Sequence, residues 1–109
     1  MNYRLIVLQQ AESDLERNAR WWAEHHSSGQ ADQWLWKVQQ QIQTIRDLPE
    51  SYALSAENDR FAFEIREKLV GFGPRRRYRA IFTIREKTVF VLAVRAAEED
   101  DLTSDDLKL

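Results

Sequence analysis

The sequence predicts an α+β fold of element order βααβββ, an antiparallel hairpin of two helices packed on one face of a mostly antiparallel four-stranded sheet. Three observations predict it. A short apolar run at the start gives way to two stretches in which apolar residues return every three or four positions. The second half alternates apolar and polar residues with a period of two. Glycine and proline stand where one regime passes to the next. At 109 residues, 43% of them hydrophobic, the chain is long enough for one domain with its own core, spanning 1–109, and too short for two.

Tyr3 to Leu8 is the first strand, a short β-branched and apolar run. Ala11, Leu15, Ala19, Trp22 and His26 then recur at helical spacing, so a helix is expected from about Gln10 to His26. Ser27-Ser28-Gly29 stops it, and a serine there can cap the next element. Ala31, Trp34, Leu35, Val38, Ile42, Ile45 and Leu48 define a second helix ending at Pro49. Pro49 to Arg60 has no period and reads as a loop. Phe61, Phe63 and Ile65 alternate with Ala62, Glu64 and Arg66 as a second strand, and Gly71-Phe72-Gly73-Pro74 makes a turn. Tyr78, Ala80, Phe82 and Ile84 alternate with Arg77, Arg79, Ile81 and Thr83 as a third. Arg85-Glu86-Lys87-Thr88 is a hairpin turn, and Val89–Val94, apolar throughout, is a strand covered on both faces. An acidic tail occupies 96–109, with Ser104 a candidate cap for a last short turn.

Charge is distributed unevenly along this chain. From Arg60 to Arg95 there are ten Lys/Arg against three Asp/Glu, a segment of about +7, inside a chain of net charge −2. Asymmetry of this kind points to a polyanionic or acidic partner. Strand parity sharpens the point: if Phe63/Ile65, Tyr78/Ala80/Phe82/Ile84 and Phe90/Leu92/Val94 face the helices, then Arg66, Arg77, Arg79 and Arg95 share the opposite face. Ile81, Val91 and Ala93 would form its apolar floor. Arg75 and Arg76 add general attraction for nucleic acid or an acidic protein where that strand begins. The alternative is that the arginines guard a sheet edge or pair with the acidic tail.

The absence of cysteine excludes disulfides and thiolate chemistry. No cofactor-binding motif and no metal-ligand spacing is present, and His25 and His26 read as the end of a helix favoured by its dipole. Glu12, Asp14 and Glu16 read as complements to the N-terminal dipole of the same helix. The opening apolar run is too short for a signal sequence or membrane span, so a cytoplasmic protein without membrane contact is expected. Trp22 and Trp34 fall on core stripes, whereas Trp21 and Trp36 fall beside them and suit a protein interface. Guanidinium forks suit phosphate, and such groups can stabilise the charge developed when a 2′-hydroxyl cleaves RNA without metal.

Ala11-x-x-Asp14-Leu15, Trp21-Trp22, Ser28-x-x-Ala31-x-x-Trp34, Leu48-Pro49, Phe63-Glu64-Ile65-Arg66, Tyr78-Arg79-Ala80-Ile81-Phe82 and Val89 to Arg95 come in an order that resembles the RelE/ParE family of type II toxin-antitoxin toxins. The resemblance implies a growth-inhibiting toxin held by a cognate antitoxin encoded nearby, in a complex that can be of higher order. It implies one of two targets: the ribosome and its mRNA, cut by an endoribonuclease, or DNA gyrase, poisoned without cleavage. By position, Arg66, Arg79 and Arg95 match the basic residues of the RelE-like catalytic set. The tyrosine usual near the C-terminus of that set is missing, since no Tyr or His comes after Arg95. A toxin-like module that binds an antitoxin but has lost toxicity is the alternative reading.

Overall fold

The protein is described by a computed structural model over residues 2–73 and 77–97. Arg75, Arg76 and the acidic residues 98–109, with the expected cap at Ser104, lie outside the described residues. The elements are β1 (Arg4–Val7), α1 (Gln9–His25), α2 (Ser28–Gln43), β2 (Arg66–Val70), β3 (Tyr78–Arg85) and β4 (Thr88–Ala96), with 3₁₀ turns at Thr44–Asp47, Pro49–Ser51 and Asn58–Arg60. The sheet order is β1-β4-β3-β2, parallel between β1 and β4 and antiparallel elsewhere. Two helices on a four-stranded, mostly antiparallel sheet are the expected architecture.

Ser27 begins α2 with its Oγ accepting the Gln30 amide at 3.1 Å, which satisfies one of the free N–H groups of the first turn. The predicted long second helix tightens after Gln43 into the 3₁₀ turn Thr44–Asp47, and Ile45 continues its buried stripe. Between helices and sheet, Leu15, Trp34, Val38, Ile42, Ile45, Val70, Phe82, Val89 and Val91 form the main core. Each such apolar side chain contributes roughly 1.5–3 kcal/mol by leaving water. Gln41 holds α2 to the end of β2, its amide exchanging two hydrogen bonds with the backbone of Gly71 at 3.0 and 2.7 Å. Gly71 has φ of 133°, a conformation that side chains resist.

Two corrections to the expected parity have physical causes. First, β3 and β4 change register at Ile81/Phe82: Ile81 faces Ala93, Phe82 faces Val91, and Leu92 is the extra residue of a bulge. The bulge turns Val89 and Val91 to the helices along with Val94. Phe90, Leu92 and Ala93 pack instead with the second core on the opposite face, so neither Phe90 nor Leu92 faces the helices and Val91 is not part of the outer floor. Second, residues 61–65 are not a strand. Phe61, Phe63 and Ile65 fold over the outer face against Ile81, Leu92 and Ala93, and the strand begins only at Arg66. The loop closes on itself through Ser55 N–H to Ile65 O (2.8 Å) and Glu67 N–H to Ala53 O (3.1 Å).

Asp14 serves β4 where β1 ends. Beyond Val7 the chain leaves β1 and enters α1, so Val94 on β4 has no strand beside it there. The fully buried Asp14 carboxylate accepts the Val94 amide at 2.9 Å and the Gln10 side chain at 3.0 Å. Its role is to pin α1 to the sheet, not merely to complement the helix dipole.

Candidate functional site

Arg79 lies mid-sheet on the outer face, directly across from Arg95 on β4 and Leu69 on β2. Two adjacent arginines in a cross-strand pair repel unless carboxylates intervene. Here they do. Glu57, brought in by the loop, grips Arg79 with both oxygens, Nη1 to Oε1 at 2.8 Å and Nη2 to Oε2 at 3.0 Å. Glu67 of β2 takes a further bond from Nη1 at 3.1 Å. Ser55 Oγ donates to Glu57 at 3.1 Å and completes the cluster. Arg79 and Glu57 are 8% and 2% exposed. The Glu57 hydrogen bonds raise the Arg79 pKa above its ordinary value, against the opposing effect of burial.

Arg66 does not join this group. It pairs across from Phe82, whose side chain faces the helices, so Arg66 lies on the helix side at the sheet edge. Its guanidinium donates to the Tyr52 carbonyl at 2.6 Å and to Glu64 at 3.0 Å. The expectation of one face failed for Arg66 because β2 starts there, in register with Phe82, rather than ending there. Arg77 precedes β3 and lines a groove of about 360 Å3 with Trp21, Trp22, Phe72 and Tyr78. Its carbonyl accepts the Ala97 amide, which closes the end of the sheet. Of the four arginines grouped by parity, the structure brings together Arg79 and Arg95.

The aromatic residues divide by depth. Trp34 is fully buried and meets Tyr78 edge-on at 4.9 Å, and Trp22 donates from its indole nitrogen to the Tyr78 hydroxyl at 3.2 Å. Trp21 and Trp36 are 45% and 65% exposed. His25 stacks on Trp21 and His26 on Trp22, with centroids 4.3 and 4.6 Å apart. No group of three metal-ligating side chains occurs among the described residues.

Chemically, Arg79, whose Nε is buried and without a hydrogen-bond partner among the described residues, forms with Glu57 and Glu67 an ion cluster of one guanidinium and two carboxylates. A phosphate would have to displace both. Sequence reasoning missed Glu57, because a loop without period gave no reason to place it against a strand. The available signal was the need for a carboxylate beside any arginine that parity sends into an apolar floor.

The fold is similar to that of a solved structure described as the chromosomal ParDE TA system from P. aeruginosa, with a TM-score of 0.73. The likeness covers 88% of this chain and 97% of that one at 14% identity, so it speaks for the fold alone. The class is that of the toxins of type II toxin-antitoxin systems. Residues 5–101 match the family described as the ParE toxin of the type II toxin-antitoxin system, parDE, and the chain belongs to that family. No curated protein sequence matches it. Among the described residues no helix is long and apolar enough to cross a membrane.

Proposed function

We propose that this ParE-family chain arrests growth by binding a protein target, DNA gyrase, rather than by cutting mRNA, and that a cognate antitoxin neutralises it. The observation that carries the reading is the closure of Arg79 by Glu57 and Glu67. A nucleolytic site of this type needs cations free to meet the charge that develops on phosphorus, together with a group that moves a proton. Arg79 is occupied, Arg66 is on the other side of the sheet, and the sequence beyond Arg95 offers neither Tyr nor His. The exposed Trp21 and Trp36 suit protein contact, since large exposed aromatics are enriched at interfaces.

Purified protein added to a gyrase supercoiling reaction and, separately, to a translating extract tests the proposal. Inhibition of supercoiling with undisturbed translation is expected. Translation arrest with cleaved message would overturn it, and inactivity in both, with tight antitoxin binding, would favour a module that has lost toxicity.

A further inference from the structure

The outer face has a second end, remote in sequence from the arginine run. Arg4 of β1, Thr88 of β4 and Arg85 of β3 are consecutive cross-strand partners and form one row on that face. With strands about 4.8 Å apart, the two arginines flank the threonine hydroxyl at a Cα separation of about 10 Å. The next row places Ile6 beside Phe90, so a half-buried aromatic ring and an exposed isoleucine lie next to the cations. Arg4, Arg85, Glu86, Thr88 and Phe90 line an open depression of about 730 Å3. That is a size suited to a small organic ligand.

This end differs from the centre in its electrostatics. Arg79 is held by two carboxylates, whereas among the described residues Arg4, Arg85 and Lys87 make no ion pair. Arg85 is steadied by an aromatic contact, its guanidinium carbon 5.3 Å from the centroid of Phe63, which leaves its donors for a ligand. The turn above the depression is also under tension. Glu86 and Lys87 have φ of 47° and 62°, a two-residue hairpin conformation for which Asn-Gly is the favoured sequence.

We propose that this depression binds a nucleotide unit, the phosphate taken by Arg4 and Arg85 with the Thr88 hydroxyl, and the base laid on Phe90 beside Ile6. Guanidinium forks and a hydroxyl match phosphate oxygens, and an aromatic ring with an apolar neighbour matches the face of any base. An acidic peptide would meet the cations but leave the ring unused. The inference does not depend on gyrase being the target.

Anisotropy of labelled single-stranded DNA and RNA oligonucleotides with the full chain tests it, with AMP, ATP and oligoglutamate as competitors. Binding should weaken with salt with a log–log slope of about −0.7, as the one phosphate contact releases its counterions. Arg4→Glu with Arg85→Glu should weaken binding at least tenfold, and Phe90→Leu should weaken it without changing the slope. Arg20→Glu with Arg46→Glu, the same change in net charge elsewhere on the surface, should leave it intact. Circular dichroism checks that each variant is folded. Displacement by mononucleotides assigns a free nucleotide as ligand, and displacement by the oligonucleotide alone assigns a polymer. Absence of binding, equal loss in the control pair, or displacement by oligoglutamate as effective as by the oligonucleotide would overturn the proposal.

Discussion

Arg79 shares its charge between Glu57 and Glu67 in a site from which water is nearly excluded, and removing it would leave two carboxylates facing each other. Arg79→Ala should therefore cost about 3–5 kcal/mol, read by urea denaturation. Arg79→Met combined with Glu57→Leu should recover most of that loss, because the penalty lies in the unpaired buried charge. Equal instability of the single and double variants would contradict a pairing role. Asp14 offers a second test at this scale. Asp14→Ala deprives the Val94 amide of its acceptor and should cost about 1–3 kcal/mol by the same measurement. Lys87→Gly should act in the opposite direction. It relieves a side chain at φ of 62° and is expected to stabilise by about 0.4–1 kcal/mol, offset in part by the greater freedom of glycine in the unfolded chain.

The loop from Ala53 to Ile65 and the bulge at Leu92 decide which side chains reach the outer face. Ile65 is fully buried against Ile81, Leu92 and Ala93, and its amide donates to the Asn58 side chain at 2.8 Å. Ile65→Ala should cost about 2–4 kcal/mol. It should also speed hydrogen exchange at Ser55 and Glu67 ahead of the β3 and β4 amides, because the loop carries Glu57 to Arg79. Exchange that rises uniformly across the sheet would show instead that the loop has no independent opening. The helices were legible from their period of 3.6, β3 from its alternation, and β1 and β4 from their apolar runs. β2 was not, because it lies at Arg66–Val70, just beyond the alternating stretch that reads as a strand. The bulge was not, since Val89 to Val94 is apolar at every position and any register buries it equally well. Phe61, Phe63 and Ile65 imitated a strand because an extended segment lying on a sheet also buries alternate residues.

The whole molecule carries an excess of positive charge between Arg60 and Arg95 and an excess of negative charge on either side. Two of the ten cations there proved to be structural: Arg79 is paired inside the fold and Arg66 ties the sheet edge to Tyr52. Among the candidate site residues, Arg79 and Arg95 were correctly placed together by parity, but their carboxylate partners could not be inferred from spacing. The proposal of a non-nucleolytic toxin rests on the pairing of Arg79 with Glu57 and Glu67. The most direct test is to induce the chain in cells without its antitoxin and map the 5′ ends of cellular mRNA as growth stops. Growth arrest with no new 5′ ends is expected, and new ends appearing with the arrest would contradict a non-nucleolytic toxin.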